Sequence, residues 1–187
     1  MKFFRILVIT AITLSAAFLV KKFVVEPTYT ASGSMEPTLY KGHRLFLDKV
    51  TYKFRIPRRG EIISFVSPAG EEHESIKRVI AVEGDTVEIK TKKVYLNGEP
   101  LVETYVKYTR PNEILIGDNL GPVTVPPGHL FVLGDNRDNS SDSATWQNPA
   151  VVTVSGTFGR SAAVPQTGGR IYFLPVEKVT GKIRGIY

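Results

Sequence analysis

Apolar positions change their rhythm once along this chain. Residues 6–20 read ILVITAITLSAAFLV, an uncharged run bounded by Arg5 on one side and Lys21 and Lys22 on the other. A helix that is apolar all round has no face for water and needs a cover of protein or lipid. About 15 residues fall short of the roughly 20 that a helix needs to cross hydrocarbon. Phe3, Phe4, Phe23, Val24 and Val25 lengthen the run, and long basic side chains at its ends can bury their stems while their charges reach the interface. Three readings fit the segment: a membrane anchor over residues 1–25, a cleavable secretory signal with Ser15-Ala16-Ala17 as its cleavage site, or a core helix. Positive charge on both flanks leaves the orientation open.

After Val25 the rhythm becomes that of strands. Short runs rich in Val, Ile, Tyr and Phe alternate with Gly, Pro and Asn-Gly,. They predict strands at 44–48, 62–66, 76–82, 86–90, 94–96, 101–106, 123–125, 130–133, 151–154 and 170–173. Asn97-Gly98, directly after Val94-Tyr95-Leu96, is a strong hairpin signal,. No later segment sustains an apolar period of 3.6. Residues 26–187 are therefore expected to form a mainly β, antiparallel domain. Residues 91–127, Lys-rich at their start and broken twice by Pro and Gly, are expected to form a smaller β subdomain inside it.

Composition narrows the function classes. The 187 residues suit one compact domain plus an appendage,. The net charge of +6 falls to +2 once Lys2, Arg5, Lys21 and Lys22 around the apolar run are set aside. That is no surface for a polyanion, so nucleic acid is not an expected partner. There is no cysteine, which excludes disulfides, thiolate zinc sites and a cysteine nucleophile,. His43, His73 and His129 carry no adjacent ligand or triad pattern, and no phosphate-binding glycine loop appears,.

Three short constellations carry possible chemistry. In Ser32-Gly33-Ser34-Met35-Glu36-Pro37, Gly33 permits a close backbone approach and Pro37 biases Glu36 towards an extended conformation,. Such a turn can present a nucleophilic hydroxyl, although Ser-Gly-Ser is also ordinary loop composition. In Ile76-Lys77-Arg78-Val79-Ile80-Ala81-Val82, strand alternation places Lys77, Val79 and Ala81 on one face and Arg78, Ile80 and Val82 on the other,. Each charge then sits in an apolar row, either reaching water from a sheet edge or buried. Burial would lower the pKa of Lys77 and free its amine to take a proton, whereas a buried Arg78 would keep its charge and need a carboxylate. The third is Gly134-Asp135-Asn136-Arg137-Asp138-Asn139-Ser140-Ser141-Asp142-Ser143, a run of short polar side chains suited to a self-bonded loop,. A calcium loop is the alternative, but the glycine and terminal glutamate of an EF-hand are missing from their places.

Taken together and in order, VVEPTYTASGSMEPTL, RRGEIISF, IKRVIAVEGD, GHLFVLGDNRDNSSDS and FLPVEKVTGKI resemble the type I signal peptidase family over most of the chain after Val24. The resemblance implies that Ser34 is the nucleophile and Lys77 the general base of a Ser-Lys dyad, a serine-protease variant that needs no histidine. It implies that Ser32 supplies a side-chain donor to the oxyanion hole beside the Ser34 backbone N–H, and that Ser140 orients the lysine amine. Arg78, Asp135 and Asp142 match supporting residues, with Asp135 as the carboxylate that Arg78 requires. No metal or organic cofactor is implied.

The family also implies a coiled antiparallel β-sheet peptidase domain, one amino-terminal transmembrane helix, and a place in the cell membrane with the catalytic domain on the extracytoplasmic side. Its partners are the lipid bilayer and exported preproteins, cut after small residues in an Ala-x-Ala pattern. From Val25 to Ser34 the chain spans at most roughly 30 Å, which would hold the site near the bilayer surface. A membrane-tethered β-module that is inactive or only binds partners is the competing expectation. Two features depart from the family. Ala144 stands where an arginine commonly follows the Asp-Ser of Asp142-Ser143, and the stretch from about residue 144 to 170 is longer than usual.

Overall fold

The computed structural model describes residues 2–70, 74–146 and 173–187, the side chains of 16–23 excepted. The chain opens with α1 (Lys2–Phe23) and runs directly into β1 (Val25–Tyr29). Phe3, Phe4, Ile6, Leu7, Ile9, Ile12 and Leu14 on α1 are all exposed. Among the described residues no helix is long and apolar enough to cross a membrane.

The body is two antiparallel sheets. The larger takes β2 (Arg44–Asp48), β3 (Ile62–Val66), β4 (Glu74–Val82), β9 (His129–Leu133), β10 (Leu174–Pro175) and β11 (Val179–Ile186), in the order β1-β2-β11-β3-β4-β9-β10. It is curled. The smaller takes β5 (Thr86–Lys90), β6 (Lys93–Leu96), β7 (Glu99–Pro100) and β8 (Leu120–Thr124), in the order β7-β6-β5-β8. A one-turn helix, α2 (Thr51–Phe54), lies between β2 and β3.

Alternation explains most of these strands. In β2, Leu45 and Leu47 are buried while Arg44 and Phe46 face out, the pattern of a sheet packed on one side. In β9, Leu130, Phe131, Val132 and Leu133 are all buried. Phe131 and Leu133 join the core beneath the small sheet, and Leu130 and Val132 join one around Phe65 and Trp146. A strand covered on both faces reads as a continuous apolar run.

Four strands were not expected from the sequence, of which β7 and β10 are two residues each. Glu26 and Pro27 mask β1, which lies at the edge of the sheet, where proline is tolerated,. β11 carries Gly181 in the middle of its sequence. A Cβ there would lie 2.7 Å from the Asp48 carbonyl oxygen and 2.7 Å from Leu47 Cδ1, so the sheet itself demands the residue that hides the strand. The expected strand at 101–106 does not form. The small sheet stops at Pro100, and the segment beyond crosses to the polar loop after β9, where Lys107 bridges Asn136 in parallel. The expected strand at 151–154 and residues 170–172 of the one expected at 170–173 lie outside the described residues, as do His73 and most of the long stretch after Ala144; Phe173 is not in a strand.

Both tight turns of the small sheet have positive φ at their two central residues. Asn97 and Gly98, at +54° and +86°, join β6 to β7 as the sequence predicts,. Thr91 and Lys92, at +46° and +70°, join β5 to β6 without a glycine. Tertiary bonds hold this second turn: Thr91 N donates to Asn119 Oδ1 (3.0 Å) and Lys92 N to the Asp118 carbonyl (2.9 Å).

The expected sorting of β4 fails beyond Val79. Val79 pairs with Val132 and Ala81 with Phe131, so two steps on β4 match one on β9. This bulge at Ile80 exchanges the faces that follow it. Val79 and Val82 serve one core, while Ile80 and Ala81 both turn to the core under the small sheet. Lys77 precedes the bulge and keeps its expected place.

Glu61, just before β3, ties three elements together. Its carboxylate accepts from Arg55 Nη1 (2.9 Å) and Nη2 (2.6 Å), Tyr52 Oη (3.0 Å), the Arg58 N–H (3.0 Å) and Lys182 Nζ (2.6 Å). Burial alone would raise its pKa, but these donors outweigh burial and hold it well below the usual carboxylate range. A depressed folded-state pKa gives stability that is present above the unfolded value near 4.3 and is lost as pH falls through the folded one. Glu61→Gln should therefore cost about 2 kcal/mol at neutral pH and flatten the acid limb of stability. Urea unfolding at pH 7 and pH 3 checks both; equal midpoint losses at the two pH values would contradict the assignment.

Candidate active site

Three segments converge where the β4–β9 ladder ends. That ladder runs from Val82 to Arg78, and Lys77 is the next residue of β4. Lys77 is buried, opposite Ile63 on β3. The second segment is the turn that carries Ser34, anchored by the buried side chain of Met35 and by the Leu39 N–H on the Met35 carbonyl (2.8 Å). A Cβ on Gly33 would stand 2.8 Å from Glu36 Oε1, the end of a side chain that Lys107 engages at 2.9 Å. The Glu36-Pro37 peptide bond is cis.

Ser34 and Lys77 meet. Lys77 Nζ lies 2.8 Å from Ser34 Oγ, and both residues are buried, at 4% and 6% exposure. Ser32 Oγ donates to Ser34 Oγ at 3.1 Å. Forty-three residues of sequence separate the hydroxyl from the amine. The pair lines a cleft of about 290 Å³ together with residues 29–32 and 74–76, Met35, Asn139 and Ser141.

The third segment is the polar loop from Gly134 to Ser143, which holds the serine turn in place. The Asn136 N–H donates to the Ser34 carbonyl (3.0 Å), and Asn136 Nδ2 donates to the Gly33 carbonyl (3.1 Å). Asp135 takes Arg78 in a two-point pair, Nε to Oδ1 at 2.9 Å and Nη2 to Oδ2 at 2.7 Å. This is the carboxylate that a half-buried arginine beside Lys77 requires. Tyr105 lies beneath the same guanidinium, 3.9 Å from its ring centre, and Thr38 Oγ1 donates to Asp135 Oδ2 at 2.5 Å. Burial works against the Arg78 charge, but the Asp135 bonds prevail and raise its pKa.

Asp142 is fully enclosed. Its Oδ2 accepts from the Gly134 N–H (2.9 Å) and its Oδ1 from the Ala144 N–H (3.1 Å). Burial pushes its carboxyl above the ordinary aspartate range, against the Gly134 N–H, the neighbouring Ser140 hydroxyl and the Lys77 charge. Ser140 Oγ is buried near Asp142 but stands outside hydrogen-bond geometry with any described residue. Gly134 leaves the space for this packing: a Cβ there would fall 2.3 Å from Ser140 Oγ and 2.6 Å from the Ser34 carbonyl.

Several supporting residues were not singled out from sequence. Asn136, Gly134, Thr38 and Tyr105 act through backbone bonds or packing, which residue type alone does not reveal. Lys92 is another. Its buried amine bonds Asp138 Oδ1 (2.6 Å) and Asp118 Oδ2 (2.9 Å), while Asp138 Oδ2 accepts from the Arg110 N–H (2.6 Å). The turn of the small sheet is thereby fastened to the polar loop. Arg137 is fixed to the Gly134 carbonyl (3.1 Å) and to Glu103. His43 and His129 bond backbone groups of their own neighbourhoods, at Tyr40 and Pro127. Among the described residues no cluster of His, Cys, Asp and Glu is arranged to hold a metal.

A serine hydroxyl against a buried lysine amine, lining a β-walled cleft, is the arrangement of a serine hydrolase that works without histidine. Comparison with known proteins narrows this class. Residues 3–187 match the family described as signal peptidase, peptidase S26. The chain is 44% identical over 142 residues to a probable signal peptidase I-1 of Synechocystis sp., covering 72% of this chain and 69% of that one. It is 38% identical over 136 residues to the signal peptidase I of Bacillus amyloliquefaciens, covering 71% and 70%. The crystal structure of an Enterococcus faecalis signal peptidase I aligns at 26% identity and a TM-score of 0.45, covering 68% of this chain and 97% of that one. The chain belongs to the S26 signal peptidases, serine peptidases that remove signal peptides from secreted preproteins.

Proposed function

We propose that Ser34 is the nucleophile and Lys77 the general base of this reaction. The observation that carries the reading is the 2.8 Å contact between two buried groups, Nζ and Oγ. An uncharged amine at that distance can take the hydroxyl proton as Ser34 Oγ attacks the scissile carbonyl carbon. The carbonyl oxygen then carries the negative charge, and the Ser32 hydroxyl and the Ser34 N–H are its donors. Collapse breaks the C–N bond, and the Lys77 ammonium gives its proton to the leaving amine. The amine leaves as the mature protein. Water enters, loses a proton to Lys77 and attacks the acyl-Ser34 ester; collapse breaks the C–O bond, Lys77 returns the proton to Ser34 Oγ, and the signal peptide leaves as the free acid.

The surrounding residues have supporting roles. Arg78 and Asp135 neutralise one another and fix the backbone next to Lys77. Ser140 orients the Lys77 amine, and Asp142, close enough for the Lys77 charge to act on its carboxyl, supports it. The substrate lies extended along β4, adding its backbone to the sheet. Short side chains along residues 30–32 and at Ser75 leave shallow space suited to an Ala-x-Ala pattern.

Members of this family are associated with membranes. In our reading, residues 1–25 anchor this chain and residues 26–187 form the extracytoplasmic peptidase domain, whose smaller β part takes in β5 as well as the expected 91–127. The uncharged run 6–20 and the exposed apolar side chains of α1 support an anchor. The direct passage from α1 into β1, nine residues before Ser34, supports a site close to the bilayer.

The test is the pH dependence of kcat/KM on a signal-bearing preprotein. Protonated Lys77 has no lone pair to offer, so activity should rise with pH along a limb governed by one proton. A profile that is flat from pH 6 to pH 10 would reject Lys77 as base. A protein that binds the preprotein but never cleaves it would instead establish the binding-only alternative.

A further inference from the structure

We propose that Glu74 is a specificity-determining residue that favours a basic side chain in the preprotein, four or five residues ahead of the scissile bond. This inference rests on the assignment of Ser34 and Lys77 to the chemistry.

Position is the first argument. Glu74 begins β4 and lines the same cleft as Ser34 and Lys77. The segments that wall the cleft, residues 29–32 and 74–76, precede Ser34 and Lys77 in the chain. A substrate whose recognised residues precede the cut must lie between those walls. Glu74 is then at the far end of the recognised stretch. Three steps of strand set it roughly 10 Å from Lys77, and a lysine or arginine stem spans one residue more or less.

Charge is the second argument. The described lining of the cleft is otherwise hydroxyl, amide, aromatic or apolar, apart from Lys77. Among the described residues Glu74 has no ion pair. Its carboxylate is nevertheless held in place. Ser64 Oγ, on a buried residue of β3, donates to Glu74 Oε2 at 2.7 Å. A fixed anion needs less reordering to engage a cation than a freely rotating one. The residue is exposed, so the interaction is modest and sensitive to salt,.

The experiment uses the full chain and preproteins that differ at one position only. Lysine, glutamine or glutamate is placed four or five residues before the cut, ahead of the Ala-x-Ala stretch, and kcat/KM is measured for each. Wild type should prefer lysine over glutamate by about fivefold at one of these positions, with the ratio shrinking as salt is raised. Glu74→Gln, which keeps an oxygen for Ser64, should bring the ratio to about one, and Glu74→Lys should invert it. A wild-type ratio of one at both positions, or the same ratio in Glu74→Gln as in wild type, would overturn the inference and leave the dyad standing. Cleavage by Ser34→Ala would overturn the dyad itself, whatever the charge ratios.

Discussion

Ser34→Ala and Lys77→Met should each lower preprotein processing by about 10⁴-fold or more, and the double variant should be no worse than either single one. The expectation follows from the contact between Nζ and Oγ: neither group has a use in the reaction without the other. Methionine matches the length of the lysine stem and suits a buried position opposite Ile63. A buried, unneeded amine is commonly a burden on stability, so Lys77→Met should fold and melt at or above the wild-type temperature. Loss of activity without loss of fold is the informative combination. Single-turnover cleavage at high enzyme concentration, alongside thermal melting, supplies both readings. If either variant retained more than about one hundredth of the activity, the dyad would have to be reassigned.

Gly134→Ala should be nearly as damaging, for a reason that has nothing to do with proton transfer. The added methyl group would fall 2.3 Å from Ser140 Oγ and 2.6 Å from the Ser34 carbonyl oxygen. The hydroxyl can turn away; the carbonyl, held by the Asn136 N–H at 3.0 Å, cannot move without taking Ser34 with it. Displacing a nucleophile by about 1 Å costs on the order of 10²-fold in rate, and an overfilled interior costs about 1–3 kcal/mol of stability. A lower kcat together with a lower melting temperature is the expected result. Gly121→Ala is the control, because a Cβ there meets nothing within 4 Å. Full activity in Gly134→Ala would show that the polar loop does not bear on Ser34 as closely as described.

Much of the fold was legible because its strands announce themselves. The runs at 44–48, 62–66 and 86–90 alternate or stay apolar between clear breaks, and they form strands over those same residues. Where legibility failed, something distant decides the local structure. Gly181 weakens β11 by propensity but is required by the approach of Asp48. Thr91-Lys92 carries no turn signal and is held by Asn119 and Asp118 from elsewhere in the chain. The segment at 101–106 has the composition of a strand, yet it spends Tyr105 on Arg78 and Glu103 on Arg137 instead of continuing the sheet. The Ile80 bulge reverses the facing of Ala81, and no single-strand pattern encodes a mismatch with a partner.

The site was legible in a different way. Strand alternation shows that a charge must lie among apolar neighbours at 77 and 78, and it shows that Arg78 needs a carboxylate. It does not say that Asp135 supplies it, nor that Lys77 meets Ser34. Those statements came from resemblance across several blocks, and the geometry brings both pairs together. Asn136, whose backbone and side chain hold the serine turn, acts through groups that every residue or every asparagine has. Only the fold gives it a task.

The amine of Lys92 has a bearing on how such chains can be recombined. Exchanging the small sheet for that of a relative would look like a swap of one module at two loop junctions. It would also remove the sole cation that reaches both Asp118 and Asp138 among the described residues. A graft without a cation at that corner would strand carboxylates in the interior, next to the loop that steadies the nucleophile. The two parts are therefore inherited best as a set, and hybrids should be cut on the far side of that corner.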